Sequence, residues 1–415
     1  MLYIRHKKIK MTAVCSAVLS ISILLCGFAA GAEEAVTISA ECDISDVAVP
    51  IDNTVTDAAI GQTLDIKAKS AMLMEPYTGE ILYEMNADEA LAPASITKIM
   101  SLLLVMEAID RGDMKLDDVI TASEHAAGMG GSQIWLEPGE SMTVDDLLKA
   151  AVVASANDAT VALAEAIAGS EEGFVAMMNA KAEKLGMTKT HFVNCTGLDA
   201  EGHLTSAHDV AIMSSELIKH ELIKNYSTIW MDTLRDGKNE LVNTNKLVRF
   251  YNGTTGLKTG TTSSAGYCLA ATARRNSMEL VAVIMSGDTT ADRFNGAKKL
   301  LDYGFSNYIF DIINPELEKD LSVPVTDGTE KSVAVKQGEG LKLLLKKSDS
   351  GEISQQLKLK ESVTAPIKKG DAVGSVEISV KGEPVGEVEL VAAHSIDKLT
   401  LGRAFRWMLS GLLKA

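Results

Sequence analysis

The chain has 415 residues, enough for two or three domains, and 46% of them are apolar against 23% charged, a balance that supports a sizeable buried core. Its formal net charge of −16 repels a phosphate backbone, so nucleic acid is excluded as an expected partner. The 5 cysteines sit at wide spacing without a disulfide framework and the 7 histidines form no ligand cluster, so no metal and no cofactor is expected.

Residues 1–32 read as an export segment. Arg5, Lys7, Lys8 and Lys10 make a basic start, residues 11–30 are apolar and uncharged, and Ala30-Gly31-Ala32 offers a small-x-small cleavage site. An uncleaved anchor is the competing reading, since about 20 apolar residues just span a bilayer. Cleavage would remove Cys15 and Cys26. Cys195 and Cys268 read as small buried apolar residues. Residues 33–63 are acidic and polar without a period, as in a linker.

Two apolar runs, 70–74 and 81–85, flank Pro76-Tyr77-Thr78-Gly79 and predict a hairpin. Pro93 then opens a helix that carries Ile96, Ile99, Met100, Leu103 and Met106 on one face and ends at Arg111-Gly112-Asp113. Residues 143–219 form a helical block with a capping start at Thr143 and Asp146. Apolar helices are expected over 147–153 and 159–167, with Ser155-Ala156-Asn157 at their join. Lys258-Thr259-Gly260 is expected to open a strand, continued by the apolar run 268–273, and 280–285 is its expected neighbour across a turn at Arg275-Asn276. Strands at both ends with helices between them predict an α/β domain over 64–310 with a helical insertion. Composition then shifts. Short alternating runs at 332–336, 341–345, 355–360, 372–380 and 384–390 predict a small all-β domain over 311–394. The last stretch, 395–415, has helical period. Leu401, Phe405, Met408 and Leu412 share a face, Arg403, Arg406 and Lys414 lie opposite, and Trp407 falls toward the boundary. That pattern fits an amphipathic helix lying on a membrane surface, with docking on its own domain as the competing reading.

Three motifs carry chemistry: Ser95-Ile96-Thr97-Lys98, Ser155-Ala156-Asn157 and Lys258-Thr259-Gly260. A serine hydroxyl needs a base before it attacks, and Ser95 and Lys98, three apart, share a helix face. Lys98 can be that base only if neutral near pH 7, which burial beside another cation such as Lys258 promotes. Ser155 can relay a proton, Asn157 can hold a substrate amide or orient Lys98, and Gly260 lets a substrate lie against the strand. Ser395-Ile396-Asp397-Lys398 repeats the first pattern without the other two and is a decoy. His203, His208 and Asp209 give a weak metal signal that is not assigned.

At these motifs the chain resembles the serine-type D-alanyl-D-alanine carboxypeptidases among the low-molecular-mass penicillin-binding proteins. The likeness extends through residues 251–262, through Ala265-Gly266-Tyr267-Cys268-Leu269, and to 192–198, 287–293 and 300–305. It covers roughly 65–395. It implies a β-lactamase/transpeptidase-like α/β fold, an antiparallel sheet with a helical subdomain, followed by the small all-β domain. It implies that Ser95 is acylated, that Lys98 is its base, that Ser155 and Asn157 form the second element, and that Lys258 completes the site. The backbone N–H groups of Ser95 and Thr261 would form the oxyanion hole. Thr259, Thr262 and Arg293 would meet the substrate's terminal carboxylate, although Arg293 also fits an ordinary surface arginine. The implied partners are a peptidoglycan stem peptide, β-lactams, and a membrane surface reached through 395–415, with the protein exported to the outer face of the bacterial cytoplasmic membrane. Two alternatives share the motifs. A serine β-lactamase is disfavoured by the C-terminal domain and by the lack of a Glu-x-x-x-Asn segment after Asn157. A β-lactam sensor would need a second spanning segment.

Overall fold

The computed structural model describes residues 64–403 and Phe405, so the export segment and the linker lie outside the described residues. Strands β1 (Ala68–Glu75) and β2 (Glu80–Met85) form the expected hairpin. Its turn is held by the buried Glu75 carboxylate, which accepts hydrogen bonds from the Tyr77 and Thr78 amides at 3.1 and 2.7 Å. Strands β3 (Thr254–Thr262), β4 (Gly266–Arg275) and β5 (Met278–Gly287) complete an antiparallel sheet in the order β2-β1-β5-β4-β3. The motif Lys258-Thr259-Gly260 lies in the middle of edge strand β3 and does not open it.

Strand β5 is buried along its whole length because both sheet faces are covered, which is why 280–285 reads as an unbroken apolar run. Its side chains alternate between two cores. Val281, Val283 and Met285 join Met72 and Met74 in packing against α1 (Lys98–Asp110) and the rest of the helical block. Leu280, Ala282 and Ile284 pack with Leu73, Phe294, Ala297, Leu300 and Leu301 on the other face. Those last four come from a helix over Thr290–Asn307.

Within the block, α2 (Val144–Lys149) starts on Thr143, whose hydroxyl accepts from the Asp146 amide as the cap predicted. It continues through a π turn, Ala150–Ala154, and stops at Ser155, whose φ of 63° is left-handed. Then α3 (Asn157–Ala168), α4 (Glu171–Lys184), α5 (Ala207–Leu217) and α6 (Thr290–Asn307) follow in chain order. Two ribbons that the alternation did not reveal, Val119–Thr121 with Ser141–Thr143 and Met231–Leu234 with Asn239–Val242, stiffen the loops.

After α6, strand β6 (Tyr308–Ile313) leads into the β-rich portion. This holds β7 (Ser322–Thr326), β8 (Ser332–Gln337), β9 (Leu341–Lys346), β10 (Ile353–Leu359), β11 (Val363–Thr364), β12 (Ala372–Val380) and β13 (Glu383–Ala392). Strand β6 pairs with β9, and the others form a sheet in the order β10-β12-β13-β8-β7-β11. Residues 396–399 belong to this portion. Ile396 is buried and bridges Ile367, and the Leu399 amide donates to Asp327 O at 2.7 Å. The amphipathic helix expected from 395 therefore begins no earlier than 401. Residues 401–403 are helical, and most of the remainder lies outside the described residues.

Candidate active site

Ser95 stands on a 3-10 turn, Ala94–Thr97, that leads directly into α1. Ala94, the residue before it, has a φ of 48°, an uncommon value for a residue with a Cβ. The turn is wedged between two glycines of other segments. A Cβ on Gly260 would stand 2.9 Å from both Ser95 N and Pro93 O, and one on Gly197 would stand 1.9 Å from Ala94 O. The demand for glycine in the third motif thus comes from the protein's own backbone pressing on the nucleophile turn.

Lys98 is wholly buried. Its Nζ donates to Asn157 Oδ1 at 2.5 Å and to Thr196 O at 2.8 Å, and it lies 3.1 Å from Ser95 Oγ. Asn157 Nδ2 donates to Gly130 O at 2.6 Å, which fixes the amide with its oxygen toward the lysine. Two of the three neighbours of Nζ can only accept. A neutral amine has two hydrogens and one lone pair, so the hydrogens go to Asn157 and Thr196, and the lone pair faces the Ser95 hydroxyl. Burial lowers the Lys98 pKa to about 7, against opposing attraction from Cys195 and Asp158. Burial, and not the charge of Lys258 that the sequence suggested, is the cause of the lowering. The dependence runs the other way: Lys258 is pushed well below its ordinary value first by burial, then by Lys98 and Arg293.

Ser155 Oγ and Lys258 Nζ are buried and have no hydrogen-bond partner among the described residues. Unmatched buried polar atoms are costly, and a ligand that reached these two would complete their bonding. The three threonines of β3 differ. Thr259 Oγ1 donates to Thr244 Oγ1 at 2.7 Å, and Thr262 Oγ1 donates to Asp199 Oδ1 at 2.7 Å. Thr261 is exposed, and its hydroxyl accepts from Arg293 Nη1 at 2.9 Å, which leaves its hydrogen free. Arg293 is no surface arginine. It is buried, its Nη1 also reaches Gly260 O at 3.1 Å, and its guanidinium lies over the Tyr267 ring at 5.4 Å.

Sequence patterns placed Ser95, Lys98, Ser155, Asn157 and Lys258 in one site; in the structure Lys98 contacts Ser95 and Asn157, the charge of Lys98 acts on Lys258, and Ser155 ends its helix two residues before Asn157. They did not reveal the Thr196 and Gly130 carbonyls, because backbone acceptors leave no residue signature. Nor did they reveal Asp158, whose carboxylate accepts from the Ile134 and Leu136 amides at 3.1 and 3.0 Å and fixes the loop beside Asn157. Among the described residues no group of three or more His, Cys, Asp or Glu is placed to hold a metal ion. His203 contacts Thr97, His208 pairs with Asp88, and Asp209 accepts from the Lys189 amide, so the three do not converge.

A family described as D-alanyl-D-alanine carboxypeptidase matches residues 54–289, and one described as penicillin-binding protein 5, C-terminal domain, matches 317–398. D-alanyl-D-alanine carboxypeptidase DacF of Bacillus subtilis is 44% identical over 336 residues, 80% of this chain and 86% of that one. The structure of penicillin-binding protein 5 from Haemophilus influenzae is 29% identical with a TM-score of 0.69, covering 82% of this chain and 100% of that one. Penicillin-binding protein D2 from Listeria monocytogenes, in its ampicillin-bound form, is 32% identical with a TM-score of 0.54, covering 59% of this chain and 100% of that one.

Proposed function

The chain belongs to the family of serine-type D-alanyl-D-alanine carboxypeptidases, and from that premise we propose that Ser95 is its acylated nucleophile and Lys98 the base. The observation that carries this is the neutral-amine geometry at Lys98, whose lone pair is left for Ser95 Oγ at 3.1 Å. The Ser95 proton passes to Nζ as Oγ attacks the carbonyl carbon between the two terminal D-alanines. The backbone N–H groups of Ser95 and Thr261 receive the oxyanion. Ser155, whose buried hydroxyl has no partner among the described residues, hands a proton to the leaving nitrogen. The C–N bond breaks, D-Ala departs, and water reverses the path to free Ser95.

The substrate's free carboxylate meets the Lys258 ammonium and the free O–H of Thr261, which Arg293 orients from behind. Binding the anion raises the pKa of Lys258, against the burial that lowers it. Thr259 and Thr262, with their hydrogens committed to Thr244 and Asp199, serve as scaffold for that strand. Gly260 keeps β3 close to Ser95.

β-Lactams would enter by the same attack. The ring amide opens while the leaving nitrogen stays tethered, which blocks the water. The ampicillin-bound relative supports this reading. Export through 1–32 and residence at the outer membrane face through the segment after 400 complete the proposal. No helix among the described residues is long and apolar enough to cross a membrane. Leu401 and Phe405 are 92% and 61% exposed.

The test uses the mature protein with a diacetyl-Lys-D-Ala-D-Ala peptide, with D-Ala release measured beside penicillin hydrolysis. Release of D-Ala with slow penicillin turnover is expected, and the Ser95→Ala variant should take no label from a fluorescent penicillin. Rapid penicillin hydrolysis without D-Ala release would mean a β-lactamase.

A further inference from the structure

His203 is buried, and both of its ring nitrogens are engaged. Nδ1 accepts from the Val193 amide at 2.9 Å, so the ring hydrogen sits on Nε2, which donates to Thr97 Oγ1 at 2.8 Å. Thr97 lies between Ser95 and Lys98 on the nucleophile turn and is itself fully buried. Val193 opens the turn 193–197, which the Asn194 side chain closes by accepting from the Thr196 and Gly197 amides at 3.2 and 2.7 Å. That turn supplies the Thr196 carbonyl to Lys98 Nζ and sets Gly197 against Ala94. His203 therefore touches both bodies whose spacing fixes the lysine's surroundings.

We propose that His203 is a positioning residue that clamps the nucleophile turn to the 193–197 turn, and thereby sets both the reach and the proton affinity of Lys98. The clamp works only with a neutral imidazole, because a protonated ring has no acceptor for the Val193 amide. Burial keeps it neutral, lowering its pKa to about 4, with His191 adding repulsion and Asp199 opposing. The Phe192 ring stands edge-on at 5.9 Å and excludes water from one side. The inference rests on the roles proposed above for Ser95 and Lys98.

The clamp has two arms that can be cut separately. His203→Asn keeps an acceptor near the Nδ1 position and loses the reach to Thr97. His203→Gln keeps a donor near the Nε2 position and loses the Val193 acceptor. Acylation by a fluorescent penicillin is followed against pH, with active-site titration to count competent protein. Each variant should acylate about ten- to a hundredfold more slowly per active site, the scale of a small misplacement of reacting groups. The midpoint of each pH profile should rise, because a loosened turn admits water to Lys98. Thr97→Val removes the same bond as His203→Asn, so the double variant should lose no more than either alone.

Wild-type rates per active site in both variants, or an unmoved midpoint, would overturn the clamp. So would losses that multiply in the double variant. Ser95→Ala is the control: if it still takes label, the proposed nucleophile fails, whereas an unlabelled Ser95→Ala beside unaffected His203 variants defeats the clamp alone.

Discussion

Raising the pH through the ionisation of Lys98 should switch acylation on. With a folded pKa of about 7, roughly a tenth of the amines are neutral at pH 6 and about nine-tenths at pH 8. The second-order rate of acylation by a fluorescent penicillin should therefore rise about tenfold across that interval and level off above it. Lys98→Arg, permanently charged, should remain at least ~10²-fold slower at every pH. Stability is linked to the same proton. The folded pKa lies below the unfolded value of 10.5, so the unfolded chain binds the extra proton between about 7 and 10.5. Burying the amine costs the fold about 5 kcal/mol at pH 7 and below, and this cost fades as pH climbs toward 10.5. Lys98→Met removes that cost but strips the donors from Asn157 Oδ1 and Thr196 O, worth about 1–3 kcal/mol each. The two effects nearly cancel. The Met variant should thus melt close to wild type at neutral pH, and its stability should lack the wild-type rise toward alkaline pH, while acylation is lost. A wild-type acylation rate that is flat from pH 6 to pH 8, or an Arg variant within a few-fold of wild type, would refute the neutral-base argument.

Asn157→Asp sets a carboxylate where Oδ1 now lies 2.5 Å from Nζ, so the acylation midpoint should move to higher pH; a midpoint that stays in place would count against direct contact in solution. Gly260→Ala puts a methyl 2.9 Å from Ser95 N, and the expected result is a loss of about 1–3 kcal/mol of stability with far slower acylation, both read from thermal melts and labelling. Arg293→Ala should reduce kcat/KM for the D-Ala-D-Ala peptide more than for its C-terminal amide, and Thr261→Val should show the same bias while Thr262→Val should not; equal losses on both substrates would make Arg293 purely structural. A chain ending after Leu399 preserves the buried Ile396 and should keep its activity on a soluble peptide while losing co-sedimentation with anionic vesicles. Equal partitioning of the two forms would defeat the membrane proposal.

Much of this protein is legible in its residues taken in order. The hairpin at 68–85, the capped helix after Thr143, the apolar strands around 268–285 and the alternating runs beyond 332 follow from local periodicity and turn chemistry. The three motifs name five candidate site residues, because two serines, two lysines and an asparagine at those positions suit one kind of chemistry. Local pattern has no means of reporting what arrives from far along the chain. The short strand Ser322–Thr326 forms because Ser332–Gln337 and Val363–Thr364 flank it, not because its sequence alternates strongly. The carbonyl of Thr196 meets Lys98 across 98 residues, and His203 meets Thr97 across 106. Gly260 is a glycine because Pro93 and Ser95 press on it, which only the packed sheet and turn disclose. Of three similar threonines, the fold commits the hydroxyl hydrogens of two and leaves that of Thr261 free. The proton affinity of Lys98 was settled last, by the burial that only the assembled core imposes.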